Sequence, residues 1–375
     1  MDAETSVLFA RDEIARARAY HRPLYVGLGL DLALQLGVLA AIAFGPPGDW
    51  LWDATGGSWW ARTLELVALV LGVSALVRLP LSCWRGWVHE RQWELSTQSL
   101  GGWFGDMAKG LSLGLVLTGL GLVALVGSAR AWPGWWPAVA APGAALLALV
   151  LGLIAPIVFE RLFNRFRPLP DEELAGELRE LSVRAGVPVR TMLVSDASRR
   201  TRKHNAYVSG LGPTRRLVVF DTLLEEVPRD ELRVVVAHEL GHRRFRHVAA
   251  GTALGMAGAA GAVLILWGLL SWPGLVSAAG ATGAGDPRVV PLVLFVLLVL
   301  GVLALPFETW VSRRWERTAD RFALALTGDA GAFERVFRRL ARANLSDLDP
   351  PRPLYLLLFT HPTPPERIAA ARMVS

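Results

Sequence analysis

The sequence predicts a mainly α-helical, polytopic membrane protein of about six transmembrane helices, interrupted by one small α/β cytoplasmic insertion. Three observations carry this. Of 375 residues, 53% are hydrophobic and only 19% charged, where a soluble domain has about a quarter charged. The apolar residues fall in blocks of about 18 or more, long enough to cross roughly 30 Å of hydrocarbon as helix. Basic residues alternate loop by loop. Together these exclude a soluble enzyme, a disordered chain and a secreted disulfide scaffold. The single cysteine, Cys83, excludes an intrachain disulfide and a cysteine-built metal site.

In order, the spans are 24–44, 63–81, 111–129, 138–159, 248–272 and 289–310. The segment before the first holds Arg11, Arg16, Arg18 and Arg22, and the loop after the second holds Arg85, Arg91 and Lys109. Residues 161–247 carry seventeen Lys plus Arg, and the tail is arginine-rich; the other three loops hold only Arg62, Arg130 and Arg288. The positive-inside rule therefore puts both termini and the long segment in the cytoplasm. The net charge of +6 serves orientation and anionic headgroups, not nucleic acid. Many of the fifteen tryptophans sit at span ends, as an interfacial belt does. The first 22 residues lack the pattern of a cleaved signal, so the first apolar run stays as a span.

The organisation is thus four N-terminal spans (1–160), a cytoplasmic α/β insertion (161–248), two further spans (249–310) and a cytoplasmic C-terminal segment (311–375). Within the insertion, Leu174, Leu178 and Leu181 have helical spacing, and Gly186 ends that helix. Short β-like runs follow at 190–194, 206–208 and 216–220. Pro228 opens a helix with Asp230 and Glu231 in its first turn, where the dipole favours acids. Residues 273–286 read as a flexible external connection. Gly251, Gly255 and Gly258 have the small-residue spacing of close helix packing. Asp31 and Gln35 lie one turn apart inside the first span, facing a hydrated bundle interior.

The helix after Pro228 carries His238-Glu239-Leu240-Gly241-His242, an HExxH motif. Four residues turn a helix about 400°, so the two imidazoles share a face and can grip one zinc ion. Glu239 can reach a metal-bound water. Gly241 costs about 1 kcal/mol inside a helix, which implies a close approach there. Catalytic zinc needs a third protein ligand and an open position. Glu316 is the best candidate, with Asp320 one turn on to orient a liganding histidine. A solvated charged face with Arg313, Arg317 and Arg321 is the bland alternative. His247, His204, His21 and His89 read as ordinary interfacial histidines.

At these residues the chain resembles the CAAX prenyl protease 1 family of integral-membrane zinc endopeptidases. The likeness extends to Phe163-Asn164-Arg165-Phe166-Arg167-Pro168, to Asn205-Ala206-Tyr207-Val208-Ser209-Gly210 and to Val219-Phe220-Asp221-Thr222-Leu223. It continues in Asn344-Leu345-Ser346-Asp347-Leu348 and in His361-Pro362 with Glu366-Arg367. It covers the chain from about residue 85 to the end; the six spans counted compare with seven in the family's eukaryotic members. The resemblance implies helices ringed around a water-filled chamber and one Zn2+ per chain. It implies His238, His242 and Glu316 as zinc ligands, Glu239 as general base and Asp320 as the partner behind a ligand. It implies Asn205, His361 and Arg367 in the cleft, holding the substrate backbone or its developing oxyanion.

The run 216–220 reads as an exposed sheet edge onto which a peptide adds as a strand, with Val218 and Phe220 as substrate contacts; an internal strand is the alternative. The expected partners are a peptide or protein substrate, lipidated or not, and membrane lipid; a monomer suffices. The expected location is a multi-pass membrane protein with a cytoplasmic active site, in the plasma membrane if the chain is prokaryotic. Two other readings compete. A heat-shock-type quality-control zinc protease shares the zinc motif without the C-terminal signatures. A transporter or scaffold with structural zinc needs a fourth protein ligand.

Overall fold

The computed structural model describes residues 7–155, 158–210 and 215–373. Among them, six helices are long and apolar enough to cross a membrane. Helix α1 spans Arg11–Phe44, α2 Trp59–Cys83, α3 Leu100–Ala131 and α4 Pro137–Ile154. The fourth predicted span, 138–159, includes residues 156 and 157, which lie outside the described residues. Strand β1 is Phe166–Pro168, helix α5 is Glu172–Arg184, β2 is Thr191–Ser195, β3 is Ala206–Ser209 and β4 is Arg216–Phe220. Then come α6, Arg229–Arg244, and the membrane helix α7, His247–Leu270. The sixth long helix, α8, runs unbroken over Val290–Thr327. Helices α9, Ala330–Ala343, and α10, Pro364–Arg372, complete the chain.

The long helices touch in a closed order: α1 on α2, α2 on α3, α3 on α4, α4 on α7, α7 on α8, and α8 back on α1. Helices that touch mainly their two neighbours leave much of their apolar surface uncovered by protein, although α8 also packs on α2. Only 11–33% of each apolar window is therefore buried. Pro23, Pro80, Pro142 and Pro306 sit inside these helices, as membrane helices tolerate.

The membrane half departs from the sequence reading in three places. Asp31 is buried against α2, not turned to a hydrated interior. It accepts two hydrogen bonds of 2.7 Å from Arg78 and one of 3.4 Å from Arg85, a clamp between the first two spans. A side chain at Gly255 or Gly258 would meet nothing within 4 Å, so neither makes a close helix contact; Gly251 does, against Trp315. Segment 273–286, read as a flexible connection, is packed, with a short helix at Pro273–Ala278 and with Val276 and Ala281 buried.

The half outside the spans has a dense core. Leu174, Leu178 and Leu181 are 0–3% exposed and pack α5 onto the sheet and α6. Asp171 caps α5 by accepting from the Leu174 N–H at 3.0 Å. Gly186 ends it with φ +69°, a left-handed value glycine adopts freely. The sheet order is β1-β2-β4-β3, with β2 and β4 parallel and both outer pairs antiparallel. Strand β4 is thus internal. The exposed-edge reading of 216–220 is corrected: β3 is the edge on that side, and Val218 is fully buried.

Candidate active site

The site begins on α6. His238 and His242 lie one turn apart on one face, their ring centroids separated by 4.8 Å. Gly241 stands where α6 meets α8. A Cβ there would come within 3.1 Å of the Ala319 Cα and 3.2 Å of the Phe322 ring. The bare glycine lets the two helices close until Glu316 reaches both imidazoles.

Glu316 Oε2 lies 3.2 Å from His238 Nε2, and Oε1 lies 3.1 Å from His242 Nε2; the two Nε2 atoms are 3.1 Å apart. Tetrahedral zinc with bonds of about 2.0–2.1 Å sets its ligand atoms about 3.3 Å apart. The two short carboxylate distances belong to different oxygens, and with one donor atom from each residue the three lie within 4.8 Å of one another, a cluster with the donor chemistry of that site. Glu316 Oε2 is also buried without a hydrogen-bond partner, an orphaned acceptor a cation would satisfy. Burial pulls the His238 imidazole down, but the nearby Asp320 and Glu316 carboxylates outweigh it and push His238 up to about 9. The pocket favours positive charge, and the residues present fit a divalent ion.

Behind the triangle, His238 Nδ1 bonds Asp320 Oδ1 at 2.8 Å. Arg367 Nε donates to Asp320 Oδ2 at 2.9 Å, and its guanidinium lies 3.8 Å over the Phe337 ring. The side chain is 9% exposed. Arg367 thus lines the cavity beside His361, as expected, while Nε and one terminal nitrogen of its guanidinium bond the Asp320 carboxylate. It stands 47 residues from Asp320, on α10, which no local pattern could pair with α8.

In front, His361 Nε2 lies 3.4 Å from Glu316 Oε1, and its exposed ring is steadied by a 2.8 Å contact between Nδ1 and Thr360 Oγ1. Burial of part of the ring lowers its pKa from the ordinary value. The Asn205 side chain is exposed at the head of β3. Glu239 follows His238 and is half-buried, and desolvation raises its carboxyl above the usual range. His247 Nδ1 lies 3.1 Å from His242 Nδ1, a contact that a lone histidine beyond the motif did not announce.

Two cavities meet at these residues. One, of about 540 Å³, reaches into the half outside the spans past Val235, Leu223 and Phe337. The other, of about 550 Å³, opens past Val208, Gly251 and Trp315. Asn205, Ala206, Glu239 and His361 line both. The outer edge of β3 runs along the junction. Phe220 N–H donates to the Asn205 carbonyl at 3.0 Å, and the register pairs Tyr207 with Val218. Ladder alternation then turns the backbone groups of Ala206 and Val208 outward. Arg243 Nε already donates to the Val208 carbonyl at 3.1 Å, which leaves Ala206 as the open rung.

The comparisons agree with this geometry. Residues 168–375, more than half the chain, match the model of peptidase family M48. Residues 5–165 match the CAAX prenyl protease N-terminal region, described as five membrane helices; four long apolar helices lie there among the described residues. An uncharacterized metalloprotease of Bacillus subtilis, YhfN, is 26% identical over 98% of this chain and 88% of its own length. A CAAX prenyl protease 1 homolog of Arabidopsis thaliana is 29% identical over 82% of this chain and 73% of its own. The crystal structure of S. mikatae Ste24p superposes with a TM-score of 0.86 at 25% identity, covering 99% of this chain and 90% of that one. The chain belongs to peptidase family M48 and is an integral-membrane metalloendopeptidase.

Proposed function

We propose that the protein cleaves extended, membrane-associated peptides, CaaX-type C-termini foremost, at a single zinc site on the cytoplasmic side. One observation carries the reading: a metal-sized triangle of two imidazoles and a carboxylate, with Glu239 beside it, where two cavities meet. His238, His242 and Glu316 hold the ion. The chemistry zinc supplies when bound is Lewis acidity, which polarises a carbonyl and acidifies water. Glu239 takes the proton of the attacking water and delivers it to the leaving amine. His361 and the Asn205 amide donate to the oxyanion that develops on the scissile carbonyl. Ala206 pairs with the substrate backbone as an added strand, in the role first read onto 216–220. Asp320 fixes the His238 ring, and Arg367 fixes Asp320.

The substrate class draws support from the Arabidopsis relative's name, and the sidedness from the alternation of basic loops. The test uses detergent-purified protein on three substrates: a prenylated CaaX peptide, the same peptide unprenylated, and unfolded casein. Release of the C-terminal fragment from the prenylated peptide, at kcat/KM well above the others, is expected. Equal or faster casein cleavage would replace the CaaX reading with a quality-control one.

A further inference from the structure

The two histidines of the triangle are held from behind by different chemistry. His238 turns Nε2 to Glu316 and gives Nδ1 to the Asp320 carboxylate. His242 also turns Nε2 to Glu316, and no carboxylate among the described residues is paired with its Nδ1. His247 Nδ1 lies there instead, 3.1 Å from His242 Nδ1. We propose that His247 is a positioning residue for His242: a neutral imidazole that accepts the Nδ1–H of His242 and holds its Nε2 toward the metal.

The proton count follows from the contact. Two ring nitrogens 3.1 Å apart share one proton. A histidine that ligates through Nε2 keeps that nitrogen bare, so its proton sits on Nδ1. His247 must then present a bare Nδ1 and carry its own proton on Nε2. A ligating histidine nearly always donates its other N–H to an orienting partner, and losing that partner costs about 10–100-fold in metal affinity.

The backbone is built for this contact. On an unbroken helix a residue five positions beyond His242 would lie about 140° round the axis. Here the helix breaks at Arg246, whose φ of 57° is left-handed, and α7 restarts at His247. An arginine in that conformation costs roughly 1–2 kcal/mol, so surrounding packing must impose the turn. The His247 ring is itself locked. It stacks on Trp315 at 5.2 Å with an 8° interplanar angle and on Phe245 at 5.9 Å and 23°, and the residue is 7% exposed. Trp315 precedes Glu316 on α8, so the stack ties the orienting residue to the third donor. A neutral acceptor also adds no charge to a pocket that already holds Glu239, Glu316 and Asp320.

The inference rests on the zinc-ligand reading above, and the experiment separates the two. Full-length protein in detergent is titrated with zinc against a chelator, and the visible spectrum of its cobalt-substituted form is recorded. His247→Phe keeps the stack and removes the acceptor. His247→Asn removes the ring and keeps an acceptor near the Nδ1 position. Hydrogen-bond positioning predicts about 10–100-fold weaker zinc binding and an altered cobalt spectrum for Phe, with Asn within about threefold of wild type. His247→Leu replaces Phe in the comparison should Phe fail to fold. Phe at wild-type affinity, or Asn weakened as much as Phe, overturns the proposal. Wild-type protein that binds no zinc would sink the ligand assignment itself, and this inference with it.

Discussion

The membrane half and the half outside the spans are built on opposite packing rules. The spans bury 11–33% of their apolar windows. The core outside the spans buries Leu178, Val194, Leu223, Val234, Val236 and Phe333 completely. A ring need only keep its helices in order, and lipid and the interior take the remaining faces. A metal triangle must hold its donors to within a few tenths of an ångström, which takes close packing on every side. The difference places sensitivity: a substitution near α6 and α8 should act on chemistry, and one in the ring on stability.

The largest expected effect is that of Glu239→Gln. Loss of a general base typically lowers kcat by about 100- to 10,000-fold, and zinc content should stay at wild type. Turnover close to wild type would remove Glu239 from the mechanism. Arg367→Ala comes next. It strands the Asp320 carboxylate in the interior, and breaking a buried pair costs about 3–5 kcal/mol. Lower thermal stability and weaker zinc binding are expected together. A raised KM with zinc affinity intact would make substrate holding, not the support of Asp320, its main role.

Gly241→Ala sharpens the comparison further. Alanine gains about 1 kcal/mol of helix propensity, but overpacking a tight contact costs about 1–3 kcal/mol. The Cβ would press on the Ala319 backbone, so the net result is a displaced Glu316 and weaker zinc binding. Tighter zinc binding would mean the helices have slack. Asp31→Asn should affect catalysis least. It leaves Arg78 and Arg85 without their carboxylate, yet both arginine side chains are about a quarter exposed. The destabilisation should fall below the about 3–5 kcal/mol of a fully buried pair. Zinc content and kcat should hold within about twofold; a large loss of kcat would mean the ring reaches the chemistry directly.

Local features were legible in the sequence, and features set by chain crossing were not. The six apolar blocks, the α5 leucines and the HExxH spacing are read directly, because period and length are local. Gly241 announced a close helix approach before α8 was known to lie against it. Glu316 emerged from composition, as a carboxylate with an acid one turn on beside a two-histidine motif. The status of β4 did not emerge, since an inner and an edge strand differ only in what pairs on the second side, and β2 does so across a crossover. The bond from Arg367 to Asp320 was not legible, because its charge suits a substrate as well as it suits a buried carboxylate 47 residues away. His247 was passed over because its use depends on a left-handed residue that no pattern of side chains predicts.

The most direct test is the zinc content of Glu316→Ala beside wild type, by elemental analysis of detergent-purified protein. The account predicts one zinc per wild-type chain and loss of stoichiometric zinc in the variant, with the fold retained. Full occupancy in Glu316→Ala would contradict the three-donor site on which the mechanism stands.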